Sequence, residues 1–126
     1  MTRGRVLLLE DDIALRGLLE DALRTEGLTV FTFDSFEALR SAARAKQADV
    51  IVADFWGVSQ RTLNETGRRE IQELNELLPV ILLTGRTWAE NATARDLGAQ
   101  ALVRKPFDLD DLLTEIERVL NETSDR

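Results

Sequence analysis

Short apolar runs recur along the chain, and within each run the apolar residues are consecutive rather than alternating with polar ones. Four such runs span residues 6–9, 50–53, 80–83 and 101–103. Consecutive apolar residues are typical of parallel strands that helices cover on both faces. A fifth run, residues 28–33, mixes two threonines with Leu, Val and Phe, which favours a strand at the edge of the sheet. The pattern therefore predicts five strands.

Segments with helical periodicity lie between these runs. The first begins after Asp12, a residue type that caps helix N-termini, and ends before Gly27. Its apolar residues, which are expected to share one face toward the core, are Leu15, Leu18, Leu19, Ala22 and Leu23. The last segment is equally regular, with apolar positions at Leu109, Leu112, Leu113, Ile116 and Leu120. Both segments are predicted to be helices.

Three further helices are predicted from weaker patterns. Asp34 and Glu37 have the spacing of a capping box, which predicts a second helix through about Lys46. In the irregular stretch 57–78 we place a loop to about residue 64 and a helix from about residue 65. Residues 87–97, closed by Gly98, are predicted to form the fourth helix.

The resulting order is a strand followed by a helix, repeated five times. Right-handed crossovers then give a parallel sheet with helices on both faces, which is a doubly wound α/β fold. A length of 126 residues suits one domain. We expect a single domain over residues 1–126, with its core at about 4–122 and a short polar C-terminal tail.

Charge and composition exclude several classes of function. Sixteen basic and 23 acidic residues give a net charge of −7, which opposes contact with nucleic acid or an anionic membrane surface. The chain has no cysteine and no histidine, which excludes disulfides, thiolate catalysis and a Ser-His-Asp triad. The N-terminal apolar run is too short for a signal peptide, and no stretch approaches the length of a membrane span. We therefore expect a cytoplasmic protein.

Polar residues follow four of the predicted strands. They are Glu10, Asp11 and Asp12 after the first, Asp54 after the third, Thr84 after the fourth, and Lys105 with Pro106 after the fifth. In an open α/β sheet, ligands bind outside the carboxyl ends of the strands. Clustered carboxylates repel one another unless a cation lies among them, and Mg²⁺ suits such a site. Lys105 and Thr84 would then surround a phosphoryl group, for which Asp54 is the natural nucleophile.

Five motifs occur in order: the acids in LLLEDD, the aspartate in VIVAD, the hydroxyl in VILLTG, the pair Gly98-Ala99, and KPF at 105–107. On these motifs, over essentially its whole length, the chain resembles the receiver domain of two-component response regulators, in particular the single receivers of chemotaxis. The resemblance implies a flavodoxin-like sheet of five parallel strands in the order 2-1-3-4-5, with five helices.

The resemblance also implies a role for each matching residue. Glu10 and Asp11 match the acidic pair of a Mg²⁺ site, with Asp11 the more direct ligand, whereas Asp12 falls on the helix cap. Asp54 matches the phosphorylated aspartate, which is also a metal ligand. The backbone carbonyl of Trp56 matches the third protein ligand.

Two more site residues follow from the resemblance. Thr84 resembles the switch hydroxyl, and Lys105 resembles the lysine that contacts the phosphoryl group. In the family the peptide bond between Lys105 and Pro106 is cis. A lysine at the end of a strand is expected to be exposed, so replacing Lys105 by alanine is expected to cost little stability.

The implied function is that of a phosphoprotein in two-component, or phosphorelay, signal transduction. A sensor histidine kinase or a phosphotransfer protein donates a phosphoryl group to Asp54 in a Mg²⁺-dependent reaction, and a partner-binding face changes. Transfer and autodephosphorylation are self-directed, so the domain is not an enzyme for outside substrates. The response face is expected at the fourth helix, fifth strand and fifth helix, where a homodimer could also form. The change is expected to centre on residues 85–90, with Trp88 as reporter.

Two departures from the family leave one alternative open. Leu102 stands where an aromatic residue is usual, and the segment after Asp54 lacks the usual Met-Pro pair. A receiver-like domain that binds partners without phosphorylation is therefore the alternative. A flavodoxin-like cofactor carrier is disfavoured because three acids follow the first strand. A phosphohydrolase of the haloacid dehalogenase type is disfavoured as well, because it needs a second aspartate as acid–base group at the position of Trp56.

Overall fold

The computed structural model describes residues 4–45, 48–54, 65–84 and 93–124. The strands in these ranges are β1 (Arg5–Leu9), β2 (Thr29–Phe33), β3 (Val50–Ala53), β4 (Val80–Thr84) and β5 (Ala101–Arg104). The helices are α1 (Ile13–Thr25), α2 (Phe36–Arg44), α3 (Glu65–Leu77), α4 (Ala94–Leu97) and α5 (Leu109–Ser124). The predicted alternation of strand and helix is confirmed. None of the described helices is both long enough and apolar enough to cross a membrane.

The strands form one parallel sheet in the order β2-β1-β3-β4-β5, which confirms the predicted doubly wound, flavodoxin-like fold. The chain winds outward in opposite directions from β1 and β3, so a crevice opens outside the carboxyl ends of these two strands. β2 lies at an edge, as predicted. There the Arg24 side chain of α1 donates a hydrogen bond to the carbonyl oxygen of Val30, 3.1 Å away.

Alternation along the strands divides the hydrophobic core into two layers. One layer packs against α1 and α5 and includes Val6, Leu8, Val52, Ile81, Leu83 and Ile116. The other packs against α2, α3 and α4 and includes Leu7, Ile51, Leu82, Leu39, Ile71 and Leu97. Because both faces are covered, every residue of β3 and β4 is buried. This explains why these strands are continuously apolar in the sequence.

Two helix starts differ from the sequence prediction. α2 is capped by Ser35, whose hydroxyl accepts a hydrogen bond from the Ala38 amide at 3.2 Å, and not by Asp34. α4 begins at Ala94 and not at residue 87, because its cap Thr93 has an extended backbone (φ −97°, ψ 164°). Asp96 completes the capping box with Thr93. Residues 87–92 lie outside the described part of the chain.

The apolar face of α1 is wider than the surface that covers it. Leu19 and Leu23 are buried, but Leu18, which was expected to face the core, is 65% exposed, and Ile13 is 75% exposed. The prediction of a single inward face was therefore wrong for Leu18. The start of α1 carries two large apolar side chains in contact with solvent.

Gly98 and Gly17 allow the effect of an added Cβ atom to be compared at a left-handed backbone position and at a helical one. Gly98 follows α4 with φ +80°, and a Cβ atom there would lie 2.5 Å from Cγ of Gln72. Gly17 lies within α1, and a Cβ atom there would meet nothing within 4 Å. We expect Gly98→Ala to lower the free energy of unfolding by about 1–2 kcal/mol. Gly17→Ala should raise it by about 0.5–1 kcal/mol. Urea denaturation of both variants checks this, and equal effects would contradict the strained turn at Gly98.

Candidate functional site

The predicted site residues converge at the carboxyl ends of four neighbouring strands. Leu9 of β1 lies in register with Ala53 of β3, so the next residues, Glu10 and Asp54, emerge side by side. The Asp54 amide also donates to the Leu9 carbonyl at 2.9 Å. Within the described ranges, the buried polar or charged residues are Glu10, Asp54 and Thr84. The sequence prediction that separate segments meet at one point is therefore confirmed.

Lys105 joins the two buried carboxylates. Its Nζ atom lies 2.8 Å from Oδ2 of Asp54 and 3.2 Å from Oε2 of Glu10, and its side chain is 24% exposed. Removal of a charge from water is costly unless an opposite charge compensates it. The expectation of an exposed lysine was therefore wrong. Because this ammonium is the partner of two acids, we now expect it to contribute to stability.

The pKa values of Glu10 and Lys105 reflect this arrangement. The pKa of Glu10 is raised by its burial, which outweighs the opposing effects of attraction to Lys105 and of the hydrogen bond from the Asp12 amide. Burial by itself lowers the pKa of Lys105, but its hydrogen bond and attraction to Asp54, followed by those to Glu10, raise it above its usual value. Lys105 is therefore charged at neutral pH and favours the ionised form of Glu10.

Carboxylate oxygens of Glu10, Asp11 and Asp54 lie within 4.8 Å of one another. Asp11 is exposed, in contrast to the other two, so one acid of the cluster faces solvent. Three hard oxygen donors, one of them open to water, fit Mg²⁺, which retains several water ligands. These residues would hold the ion. The remaining predicted ligand, the carbonyl of Trp56, lies outside the described residues.

Asp12 caps α1 and does not belong to the acidic cluster. Its carboxylate accepts a hydrogen bond from the Leu15 amide at 3.0 Å, and its own amide donates to Oε1 of Glu10 at 3.3 Å. The interpretation of Asp12 as a helix cap is confirmed. Its amide also helps to fix the orientation of the Glu10 side chain.

Thr84 and Lys105 are joined through the backbone. The Lys105 amide donates to the Thr84 carbonyl at 2.7 Å, and the Thr84 side chain is buried at the end of β4. The Lys105–Pro106 peptide bond is cis, as the resemblance implied. Residues 85–92, including Trp88 and the predicted centre of the response, lie outside the described residues.

One residue near the site was missed by sequence reasoning. Arg16 of α1 donates from Nη1 to the backbone carbonyl of Glu10 at 3.3 Å. Its position four residues after the helix cap is the available signal, because a side chain one turn into a helix points back toward the N-terminus. A charged residue on an exposed helix is ordinarily solvated, so this signal alone did not distinguish Arg16.

Comparison with known proteins places this geometry in a family. The sequence family model of the response regulator receiver domain matches residues 6–117 of this chain. The DNA-binding transcriptional regulator NtrC of Salmonella typhimurium is 32% identical over 124 residues, which is 96% of this chain and 26% of NtrC. Response regulator protein PmrA of Pseudomonas aeruginosa is 33% identical over 97% of this chain and 55% of PmrA. The chain thus spans about a quarter to a half of these relatives.

Solved structures agree with this assignment. A structure described as a transiently phosphorylated switch in bacterial signal transduction is 30% identical, with a TM-score of 0.73 and 98% coverage of both chains. Chemotaxis response regulator CheY4 of Vibrio cholerae is 26% identical, with a TM-score of 0.70, over 94% of this chain and 100% of CheY4. The chain therefore belongs to the response regulator receiver domains, the phosphoaccepting modules of two-component signalling.

Proposed function

We propose that Asp54 accepts a phosphoryl group from a phosphohistidine of a sensor histidine kinase or a phosphotransfer protein. The observation that carries the proposal is the Asp54 carboxylate, held 2.8 Å from the Lys105 ammonium with two further acids beside it. Nucleophile, fixed cation and metal-binding acids then share one pocket, which is what phosphoryl transfer requires.

The chemistry consists of two displacements at phosphorus. A carboxylate oxygen of Asp54 attacks the phosphoryl group, an acyl phosphate O–P bond forms, and the P–N bond to the donor imidazole breaks. The electron pair of that bond stays on the imidazole nitrogen. Later, water attacks the acyl phosphate, inorganic phosphate leaves, and the carboxylate is restored. Both steps take place on the domain itself.

Mg²⁺, when bound, supplies positive charge that offsets the charge of the acids and of the phosphoryl oxygens. Glu10, Asp11 and Asp54 provide carboxylate oxygens for it, and we propose the carbonyl of Trp56 as a further ligand. Lys105 contributes a second positive charge, 2.8 Å from Oδ2 of Asp54. The Thr84 hydroxyl is proposed to donate to a phosphoryl oxygen once that group is in place.

The response is proposed to leave the site through Thr84 and Lys105. Their backbone hydrogen bond makes the ends of β4 and β5 move together when both side chains approach a phosphoryl group. We place the output partner, or a second copy of the chain, on the surface of α4, β5 and α5. Leu102 of β5 is half-buried and has no polar tip, so it cannot exchange a hydrogen bond between two sites.

The phosphodonor is proposed to dock on the start of α1. Exposed Leu18 lines a groove of about 380 Å³ together with Leu15, Leu19, Lys105, Pro106, Phe107 and Leu109. Exposed Ile13 lies at the start of the same helix. Exposed apolar surface beside a reactive group is typical of a protein contact. Because Lys105 borders both this groove and Asp54, an apolar helix face seated here brings its phosphohistidine to the acceptor.

The phosphorylation proposal predicts a specific mass change. Incubation with acetyl phosphate and Mg²⁺ should add one acid-labile phosphoryl group to each chain, measured as intact mass. Asp54→Asn should remain unlabelled because the nucleophile is gone. An unlabelled wild-type protein, under conditions that label an ordinary receiver, would support partner binding without phosphorylation. Labelling of Asp54→Asn would move the acceptor elsewhere.

The docking proposal predicts that a change on α1 affects phosphoryl transfer from a protein donor but not from a small-molecule donor. Leu18→Ser should slow transfer from a phosphorylated histidine kinase or phosphotransfer protein by about tenfold, which is about 1.4 kcal/mol. Labelling by acetyl phosphate should stay at the wild-type rate, because Leu18 does not touch Asp54. Phe31→Ser, which removes a side chain 45% exposed on β2, is the control and should alter neither rate. Normal transfer to Leu18→Ser from the protein donor would place docking on another face.

The ion pairs of Lys105 predict a large stability effect. Lys105→Met leaves two buried carboxylates without their cation, so without Mg²⁺ it should lower the free energy of unfolding by about 3 kcal/mol at pH 7. Mg²⁺ should restore part of this loss, because it supplies positive charge at the same acids. Arg118→Met, which removes exposed ion pairs with Glu115 and Glu122, should cost less than about 1 kcal/mol.

The same effect has a defined pH dependence. The pKa of Lys105 is raised above 10.5 in the folded chain, so the contribution of its protonated form is fully present below pH 10.5 and is lost as pH rises through the folded-state pKa. Urea denaturation should therefore show a gap between wild type and Lys105→Met that is constant at neutral pH and narrows in strong alkali. A gap that is as small at pH 7 as it is in strong alkali would refute the role assigned to these ion pairs.

A further inference from the structure

Arg16 connects α1 to the turn that carries the acidic cluster. Its amide begins the helix by donating to the Asp12 carbonyl at 2.8 Å. Its side chain returns toward β1, where Nη1 donates to the Glu10 carbonyl at 3.3 Å. Arg16 is half-buried and forms no ion pair with any described residue. Its contact with the site is therefore made to backbone and not to a carboxylate.

The other hydrogen bonds around this turn hold its two ends and, through the Asp12 amide that donates to Oε1 of Glu10, the peptide group after Asp11. The Leu9 carbonyl accepts from the Asp54 amide, and the Asp12 carboxylate accepts from the Leu15 amide. Between these ends, the Glu10 carbonyl is one half of the peptide group that leads directly into Asp11. The exposed Asp11 carboxylate makes no hydrogen bond or ion pair with the described residues. The peptide groups on either side of Asp11 fix its Cα–Cβ bond and so the region that its carboxylate can reach.

We propose that Arg16 is a positioning residue for divalent-cation binding, which acts by fixing the peptide group between Glu10 and Asp11. This inference rests on the metal site proposed above. A positive charge beside a cation site repels the cation, so on charge alone the loss of Arg16 would strengthen binding. If its hydrogen bond orients the Asp11 carboxylate, the loss of Arg16 weakens binding instead. For Arg16→Ala, the charge explanation predicts a lower Mg²⁺ dissociation constant, and the positioning explanation predicts a higher one.

Calorimetric titration of the unphosphorylated protein with Mg²⁺ measures this dissociation constant and so distinguishes the two explanations. Arg16→Ala should raise the dissociation constant about tenfold, the low end of what the loss of an outer-shell hydrogen bond produces at a metal site. Arg16→Lys keeps a donor and the charge, and it should recover most of the lost affinity. The thermal unfolding midpoint in metal-free buffer should be similar for all three proteins.

Arg24→Ala is the matched control. Arg24 lies on the same helix and also donates to a backbone carbonyl, that of Val30. The variant therefore removes the same charge and the same type of bond away from the acidic cluster, together with an ion pair to Glu20. It should leave the Mg²⁺ dissociation constant unchanged. Asp11→Asn should bind Mg²⁺ most weakly of the set.

Each remaining outcome has a defined meaning. Unchanged or tighter binding by Arg16→Ala would overturn the positioning role and leave the metal site intact. Equal weakening by Arg16→Ala and Arg24→Ala would overturn it as well, because the effect would then not depend on the contact with Glu10. A wild-type protein that binds no Mg²⁺ would overturn the metal site and, with it, the role of Arg16.

Discussion

The functional end of this molecule depends on one ammonium group placed between two buried carboxylates. Glu10 and Asp54 lie at the ends of adjacent strands, and without Lys105 their mutual repulsion and loss of hydration would oppose folding. With it, the negative charge of the acids is compensated inside the protein. The same cation that permits the fold is thus the one that the proposed chemistry uses.

The parallel sheet makes this arrangement possible. Neighbouring strands that run in the same direction deliver the residues that follow them to one edge, whatever their separation in sequence. The register of β1 with β3 places Glu10 beside Asp54, and the pairing of β4 with β5 places Thr84 beside Lys105. Because the strands themselves are anchored by core packing on both faces, the polar residues at their ends are held in fixed positions.

Much of this could be predicted from the sequence, since continuous apolar runs, turn residues and strand-end acids each have a local cause. Asp54, Thr84 and Lys105 were identified because polar residues directly after apolar strands must meet at one edge. The exposure of Leu18 could not be read in this way, because helical periodicity gives the angle of a side chain but not the width of the surface that covers it.

Two other differences have equally physical origins. Asp34 and Ser35 are both good caps, and the choice between them depends on where β2 releases the chain, which composition does not reveal. The partial burial of Lys105 and the reach of Arg16 to the Glu10 carbonyl depend on the tertiary structure. Long cationic side chains can point in many directions, and only the assembled strand ends select one of them.

The contact of Arg24 with Val30 bears on how the molecule can associate. β2 is the edge strand nearest β1, and an edge presents backbone groups that could extend the sheet into another chain. Here the outward carbonyl of Val30 already accepts a guanidinium hydrogen bond, and the same nitrogen lies 2.9 Å from the Glu20 carboxylate. A strand approaching this side meets an acceptor in use and a bulky ion pair. Growth of the sheet is therefore hindered at β2, so an association that extends the sheet would have to use its other edge, β5.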